Sequence, residues 1–274
     1  MKSNLLRRER VNHMLTAMNK TGTLIERRLP DAHQEARRQL VYELVSGASG
    51  LALVVFMWGH MFLVGSILTG ARGFDWVAKS LEDYYIAQPT VLAVVTLFLT
   101  HAVMASRKIP AQLRERRRML ALARQLRNVT GAVPALGHGD PRLQPHLESL
   151  LWIWQVRTGM LILVLGSFHI VLLALDILTP LFGERTGIEA VSTFARVQGG
   201  LWPLYGVLLL CVEFHASVGL YRLTVKWGVG SRLSRTTVWR LEHVIFWTFL
   251  GLGVAALAVL AGVLSPPLAF LLGD

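Results

Sequence analysis

The chain has 274 residues, of which 53% are hydrophobic and 16% charged, and its formal net charge is +11. Long uncharged stretches alternate with basic clusters, a pattern that is typical of a helical membrane protein and excludes an ordinary water-soluble domain. Membrane topology accounts for the positive charge, so nucleic-acid binding is not predicted. The single cysteine, Cys211, excludes intrachain disulfides and an iron–sulfur cluster, which needs several cysteine ligands.

The chain begins with a basic N-terminal tail, residues 1–40, whose lack of an apolar stretch predicts no cleavable secretory signal. Uncharged runs long enough to cross about 30 Å of hydrocarbon, at about 1.5 Å per residue, follow it. Because every backbone amide in lipid needs an internal partner, these runs are predicted to be helices. The five predicted spans cover residues 44–68, 84–106, 150–178, 201–225 and 240–264. They form one all-α transmembrane domain, residues 41–265, and a short tail, residues 266–274, ends the chain.

The distribution of lysine and arginine predicts the orientation of the spans. Nine of these residues lie in the N-terminal tail, nine between the second and third spans, and five around the connection between the fourth and fifth, with Arg222 and Arg240 at the span ends included. The two other connections carry two each. Cytoplasmic loops are the ones enriched in lysine and arginine, so the N-terminus is predicted in the cytoplasm and the C-terminus outside.

The longest predicted connection, residues 107–149, is cytoplasmic in this topology. Its stretch from Gln112 to Gln125 is predicted to be a basic helix. An interfacial helix attracted to anionic lipid and a docking surface for a soluble partner both explain it, and the two roles are compatible.

Four of the nine histidines lie inside the predicted spans, one on each of the first four helices: His60, His101, His169 and His215. A lone membrane histidine is usually a hydrogen-bonded core residue. One histidine on each of four helices instead favours haem ligation, because imidazole is a common axial ligand and polar groups at that depth are costly. No Cys-x-x-Cys-His sequence occurs, so a covalently attached c-type haem is excluded.

The depths of these histidines predict how they pair. His60 lies about 24 Å and His169 about 28 Å from the cytoplasmic ends of their helices, at about 1.5 Å per residue. His101 and His215 lie about 9 Å and 10 Å from the cytoplasmic ends of theirs. His60 and His169 are therefore predicted to hold an outer haem, and His101 and His215 a haem near the cytoplasm. Two axial histidines leave no open iron position, which suits electron transfer.

Charged residues near these histidines are further candidates. Arg157, Arg222 and Lys226 lie near cytoplasmic span ends, where they could contact haem propionates or simply extend to the interface. Glu213 lies inside the fourth span, two residues before His215, so the two side chains do not share a helix face. A carboxylate inside the membrane favours a role in proton transfer. Small residues occur where a porphyrin or a close helix needs space: Gly47, Gly50 and Gly59 in the first helix, and Gly159 and Gly166 in the third.

Several stretches around the histidines carry a family resemblance. They are Gly59-His60-Met61-Phe62, His101-Ala102 with Arg107-Lys108-Ile109-Pro110, Gly137-His138-Gly139-Asp140, Gly166-Ser167-Phe168-His169, and Trp202-Pro203-Leu204-Tyr205 continuing through residues 213–223 to Lys226-Trp227-Gly228. Over about residues 40–230 the sequence closely resembles the dihaem cytochrome b anchor subunit of bacterial quinol:fumarate reductases, within the succinate:quinone oxidoreductase family.

This resemblance implies two b-type haems held by His60, His101, His169 and His215, in the pairing that depth also predicts. It implies that menaquinol is oxidised near the outer face beside an essential glutamate that matches Glu82, and that Glu213 belongs to a proton path. Electrons would pass to an iron–sulfur subunit and then to a flavoprotein subunit, which holds FAD and reduces fumarate. The resemblance further implies a multi-pass protein of the bacterial inner membrane, and a dimer of such heterotrimers is left open.

Three other functions remain open from the sequence. The same anchor could serve a succinate:quinone reductase, which works in the opposite direction. A cytochrome b conduit for another membrane dehydrogenase would have a partner without flavin. A transporter with buried histidines would be colourless and would have no soluble partners.

Overall fold

The computed structural model describes the backbone of residues 2–130, 147–179, 181–182, 189–228 and 234–272. It describes the side chains of residues 33–122, 125, 150–179, 181–182, 189–228, 234 and 236–272. Within these ranges the chain forms helices and turns and no strand, so the predicted all-α fold is confirmed. The α-helices are α1 Lys2–Gly65, α2 Ala71–Asp83, α3 Ala87–Thr130, α4 Leu147–Leu178, α5 Ala190–Arg196, α6 Trp202–Trp227 and α7 Arg235–Leu260.

Five segments of the described chain are long and apolar enough to cross a membrane, as predicted: His33–Thr69, Ala87–Leu122, Leu150–Leu178, Ala190–Trp227 and Thr236–Leu260. Large apolar side chains are exposed along them, among them Phe62, Leu92, Val164 and Trp247, each more than 60% exposed. A surface this apolar is stable against hydrocarbon and not against water. The chain is thus built as a multi-pass membrane protein.

Two helices extend well beyond the apolar runs that predict them. Helix α1 begins at Lys2, and α3 continues through Pro110 to Thr130, so the predicted basic helix from Gln112 to Gln125 is a continuation of the second span. The remainder of that connection, residues 131–146, lies outside the described residues together with the Gly137–Asp140 motif.

The spanning helices pack as two pairs, α1 with α3 and α4 with α6, and α7 packs against α6 and α1. We call one end of this bundle the basic end; there α1 and α3 extend past the apolar runs, α4 and α7 begin, and α6 ends. The opposite end is the short-loop end, formed among the described residues by 66–86, 179, 181–182, 189–201 and 261–272.

The short-loop end carries helical elements that the apolar runs did not predict. A 3₁₀ turn, Ser66–Thr69, leads into the amphipathic helix α2, which buries Phe74 and Ala78 and leaves Trp76 71% exposed. The backbone N–H of Ala190 donates to Asp75 Oδ1 at 2.7 Å, and this bond joins the start of α5 to α2. A buried apolar cluster, which includes Ile67, Phe74, Ala190 and Val259, holds these elements together.

Candidate functional site

His101, on α3, is held against α1 by three contacts. Its Nδ1 lies 2.9 Å from the backbone carbonyl oxygen of Ser46 and 3.4 Å from Ser49 Oγ. The imidazole also fits the space left by Gly50, where an added Cβ would lie 2.9 Å from His101 Cε1. Since a backbone carbonyl can only accept, the Nδ1 of His101 donates and its Nε2 is left with a free lone pair.

His215, on α6, is held against α4 in the same way. Its Nδ1 lies 2.9 Å from the carbonyl oxygen of Gln155 and 3.4 Å from Thr158 Oγ1. An added Cβ on Gly159 would lie 2.8 Å from His215 Cε1. This ring is therefore also locked by a glycine and a carbonyl, with its Nε2 available as a ligand.

The rings of His101 and His215 face each other across the bundle. Their centroids are 6.2 Å apart and their planes are inclined at 85°. An imidazole nitrogen binds a transition metal at about 2 Å, and two opposed axial rings then have centroids separated by about 6 Å. No three His, Cys, Asp or Glu side chains of the described residues converge on a bare metal ion. The 6.2 Å separation of the two imidazoles fits a metal such as a haem iron held between them.

An internal repeat relates the two helix pairs. The spacing of four residues on α1 repeats on α4, and in both helices the histidine follows the glycine by ten positions: Ser46, Ser49, Gly50 and His60, and Gln155, Thr158, Gly159 and His169. On the partner helices, Lys108 follows His101 by seven residues and Arg222 follows His215 by seven. The two halves of the candidate site are therefore built on one plan.

His60 and His169 lie ten residues beyond Gly50 and Gly159, hence about 15 Å further along the bundle. The ring of His60 stacks on Phe56 with centroids 5.7 Å apart, and that of His169 meets Tyr205 edge-on at 5.5 Å. The buried Nδ1 of His169 has no hydrogen-bond partner among the described residues. This level is thus less constrained than the first.

A polar cluster of the short-loop end lies beside Tyr205, and sequence reasoning missed it. The side chain of Arg196 is 6% exposed and forms an ion pair with the fully buried carboxylate of Asp176. Arg196 also donates to Thr193 Oγ1 at 2.8 Å. Asp176 Oδ1 has no partner within the described residues. A buried charge pair at this depth marks a second polar position along the bundle.

Two of the three basic residues singled out in the sequence lie beside the His101–His215 level. Arg222 donates to Gln155 Oε1 at 2.5 Å, and Lys226 forms an ion pair with Glu43. Lys108, which sequence reasoning did not single out as a propionate partner, donates to Ser46 Oγ at 2.6 Å. Arg157 is exposed and lies over the ring of Trp154, 5.2 Å from its centroid.

Glu213 is only 5% exposed and lines a small cavity, about the size of one water molecule, between α1, α6 and α7. Its carboxylate forms no hydrogen bond with another described residue. Across the cavity lies Glu242 of α7, which accepts a hydrogen bond from Ser217 Oγ. Glu213 therefore points toward α7, whereas His215 packs against α4.

Glu82 lies apart from the histidines. It is an exposed residue in the last turn of α2, at the short-loop end of the bundle. Two exposed aromatic side chains follow it: Tyr84 is 78% exposed, and Tyr85 is 80% exposed with a φ of 56°. Aromatic residues of this kind are typical of the membrane–water interface.

Comparison with known proteins decides the family. The model of the succinate dehydrogenase/fumarate reductase transmembrane subunit matches residues 134–260. The chain is 30% identical to the fumarate reductase cytochrome b subunit of Helicobacter pylori strain 26695 over 77% of its own length and 76% of that protein. The chain belongs to the fumarate reductase cytochrome b subunit family.

A second relative is more similar over a shorter region. The fumarate reductase cytochrome b subunit of Wolinella succinogenes is 36% identical over 66% of this chain, and the match spans 64% of that protein's length. These comparisons confirm the resemblance seen in the sequence and identify the chain as a membrane subunit of fumarate reductase type.

The sequence held one signal for the residues that anchor the rings. The equal Gly-to-His spacing of α1 and α4 is visible in the sequence and identifies Gly50 and Gly159 as counterparts. The carbonyl groups of Ser46 and Gln155 carry no such signal, because every residue has a backbone carbonyl.

Proposed function

We propose that the chain is the haem b anchor of a menaquinol:fumarate reductase in the bacterial inner membrane. It would oxidise menaquinol and deliver the electrons to an iron–sulfur subunit and a flavoprotein subunit that holds FAD and reduces fumarate. The family supports this reaction, since both relatives are fumarate reductase subunits by name. The observation that carries the proposal is the opposed pair of anchored imidazoles, His101 and His215, whose separation suits a metal between them.

The basic end of the bundle is proposed to face the cytoplasm, with the N-terminus inside and the C-terminus outside. The lysine and arginine residues of the α3 extension and of the α6 end support this orientation. The partner subunits would then dock on the basic end, where α1 and α3 extend beyond the apolar runs.

His101 and His215 would hold one haem, and His60 and His169 the other. When bound, each haem supplies one-electron carriage across part of the membrane. The protein's part is to fix the ligands: the carbonyl groups of Ser46 and Gln155 set the tautomer and the ring orientation of His101 and His215.

Arg222 and Lys226 are the supported partners for haem propionates at the basic end, since both lie around the residues that anchor His101 and His215. Lys108 joins them there. Arg157 lies on the surface over Trp154, which supports an interfacial role for it instead.

Glu82 is proposed to accept a proton when quinol is oxidised at the short-loop end. Oxidation of a quinol releases two protons, so an acceptor is required at the site. The exposed position of Glu82 beside Tyr84 and Tyr85, at the edge of the apolar bundle, is compatible with a quinol that enters from lipid.

Glu213 is proposed to relay protons inward. Moving electrons alone across the membrane costs about 2.3 kcal/mol per charge per 100 mV, and a proton that accompanies each electron cancels this cost. The burial of Glu213 beside a cavity supports the role. We expect Glu213→Gln to stop quinol-linked turnover with both haems bound, and wild-type turnover in proteoliposomes to be electroneutral by a potential-sensitive dye. A large uncoupler-sensitive potential in the wild type would contradict the relay.

The experiment that tests the proposed reaction is fumarate reduction by the purified complex with two donors. Menaquinol should drive the reaction through this chain, and an artificial soluble donor should drive it through the partner subunits alone. Menaquinol-driven reduction that is inhibited by loss of the haems supports the proposal. A complex that contains no flavoprotein, or a purified chain without haem absorption, would contradict it. Succinate-driven quinone reduction, measured on the same sample, tests the opposite direction.

A further inference from the structure

One hydrogen bond joins the helix that carries Glu82 to the start of a spanning segment. The backbone N–H of Ala190, the first residue of α5, donates to Asp75 Oδ1 of α2 at 2.7 Å. The N-cap residue of α5, Glu189, makes no capping bond with its own side chain. A carboxylate is a preferred partner for the first N–H groups of a helix, because these groups carry partial positive charge. Asp75 therefore caps α5 from a different helix.

Asp75 and Glu82 lie on the same face of α2. They are seven residues apart, which is two helical turns and about 10.5 Å along the axis. Ala78, between them on this face, is 4% exposed, whereas Trp76 is 71% exposed and faces away. The bond of Asp75 to α5 fixes the rotation of α2 about its own axis. It therefore also sets the direction in which Glu82 lies.

The junction at Asp75 is packed continuously as far as the His60–His169 level. Phe74 of α2 and Ala190 of α5 belong to one buried apolar cluster, and Tyr205 of α6 packs against that cluster. The ring of Tyr205 in turn meets His169 edge-on, with centroids 5.5 Å apart. Close-packed interiors transmit a displacement from one element to the next. The position of α2 is thus tied to that of the proposed outer haem ligands.

The other end of α5 is held by a second carboxylate. Arg196, the last residue of α5, is 6% exposed at its side chain and forms an ion pair with the fully buried Asp176 of α4. The two ends of α5 are about 9 Å apart along its axis. A carboxylate of α2 and a carboxylate of α4 thus bind opposite ends of one short helix. Helix α5 therefore holds α2 at a set separation from α4, which carries His169.

We propose that Asp75 is a positioning residue for quinol oxidation: its bond to α5 holds the face of α2 that carries Glu82 at a fixed distance from the His60–His169 level. Electron transfer from a quinol to a haem slows steeply as their separation grows. A proton acceptor must also lie within hydrogen-bond reach of the quinol hydroxyl. One orientation of α2 has to satisfy both requirements at once. The proposal deepens the proposed function, since it rests on quinol oxidation beside Glu82.

The start of α2 keeps its own contacts when Asp75 is replaced. The N–H of Leu268 donates to the Leu68 carbonyl oxygen at 2.9 Å, and Arg72 donates to the Leu272 carbonyl oxygen at 3.1 Å. Loss of the Asp75 bond should therefore let α2 turn while its first residues stay in place. The predicted defect is misplacement of Glu82 in an assembled protein.

The test compares Asp75→Ala with Asp75→Asn in the purified complex. Alanine removes the acceptor for the Ala190 N–H, whereas the amide oxygen of asparagine can still accept it. We expect kcat/KM for menaquinol-driven fumarate reduction to fall by about 10²-fold in Asp75→Ala, because the reacting groups are misplaced. Asp75→Asn should retain most of the wild-type value. Reduction of the haems by menaquinol, followed by stopped flow, should slow by the same factor as kcat/KM in each variant.

Three controls separate positioning from a loss of structure. Haem absorption and fumarate reduction by an artificial soluble donor should stay at wild-type levels in both variants. Lys79→Gln, which removes an exposed ion pair with Asp83 elsewhere on α2, should leave every rate unchanged. Hydrogen exchange of the amides of residues 190–196 should be faster in Asp75→Ala and normal in Asp75→Asn. A merely structural role would lower the unfolding temperature and leave the quinol-driven rate per assembled complex unchanged.

Three results would overturn the proposal: a wild-type kcat/KM in Asp75→Ala, equal losses in the alanine and asparagine variants, or unchanged amide exchange in Asp75→Ala. If Asp75→Ala fails to assemble, Ala190→Pro decides, since it removes the N–H at the first helical position, after an extended residue, where proline is favoured. A lower quinol-driven kcat/KM with normal haem content then supports the proposal, and an unchanged value overturns it. Failure of the proposed function is distinguishable, because it appears in the wild-type complex as absent quinol-driven reduction.

Discussion

The two histidine levels of the bundle are built with different degrees of constraint. His101 and His215 each have a glycine beneath the ring and a backbone carbonyl on Nδ1, and their rings face each other. At the other level His60 and His169 are bordered by aromatic rings, and Nδ1 of His169 is buried without a partner among the described residues. One level is held by fixed backbone groups, and the other by packing.

This difference predicts that the two levels bind their haems with different affinities. Ligands whose tautomer and rotation are already set lose little freedom when a metal binds, so the His101–His215 level should bind its haem the more tightly. The His60–His169 level lies toward the end that carries α2 and Glu82, where a quinol is proposed to react. The predictions below test this contrast, from the largest expected effect to the smallest.

Replacement of the ligands should have the largest effect. We expect His101→Ala and His215→Ala each to abolish the same haem signal, and His60→Ala and His169→Ala to abolish the other, because an iron with one axial imidazole is poorly held. Redox difference spectra of the four purified variants measure this. A shared loss between the His60 and His215 variants would show that the pairing is wrong.

Glu82→Gln should lower quinol-driven fumarate reduction by about 10²- to 10⁴-fold, since a proton acceptor is removed from the quinol site. Both haems should remain, and an artificial donor that feeds the flavoprotein subunit should still support fumarate reduction. Asp83→Asn, at the next residue, is the matched control, because Asp83 is also exposed and is paired with Lys79. A normal quinol-driven rate in Glu82→Gln would remove this residue from the mechanism.

The glycine contacts sharpen the contrast between the two levels. Gly50→Ala and Gly159→Ala would each place a methyl group within 3 Å of a histidine ring. We expect a strain of about 1–3 kcal/mol, and haem binding at the His101–His215 level alone should be weakened accordingly. Gly166→Ala, whose nearest contact would be 3.6 Å, and Gly59→Ala, with nothing within 4 Å, are the matched controls. Haem retention during stepwise denaturation measures the effect, and equal retention in all four variants would contradict the anchoring role.

The smallest effect is expected at the hydroxyl groups beside the rings. Ser49 Oγ and Thr158 Oγ1 both lie 3.4 Å from a histidine Nδ1, further away than the carbonyl oxygens at 2.9 Å. Ser49→Ala and Thr158→Ala should therefore weaken haem binding by only about 0.5 kcal/mol, which is about a twofold loss of affinity. A fall in haem affinity as large as that in the glycine variants would show that the hydroxyl groups, and not the carbonyl groups, hold the rings.

The sequence predicted the five spans well, because long uncharged runs report directly on lipid exposure. It did not show that α1 and α3 continue as helices beyond the apolar runs. A count of uncharged residues ends a span at the first arginine, whereas the helical backbone hydrogen bonds continue past it. Helix α2 was missed for a related reason: an amphipathic helix of 13 residues contains no long apolar run.

Among the site residues, the four histidines stand out in the sequence because a polar group at that depth is unusual. The partners that orient them could not be predicted, since the acceptors on Ser46 and Gln155 are backbone atoms. The contacts of Glu242 and Asp176 could not be predicted either, because they depend on how the helices pack. The contact of Glu242 with Ser217 depends on the register between α6 and α7. The contact of Asp176 with Arg196 depends on the register between α4 and α5.

The most direct test of the two-level account is the haem content of the purified wild-type chain by pyridine haemochrome assay. We expect two b-type haems per polypeptide, extractable with acidified acetone, because His60 and His169 lie about 15 Å further along the bundle than the opposed pair His101 and His215. One haem per polypeptide, or none, would contradict the account.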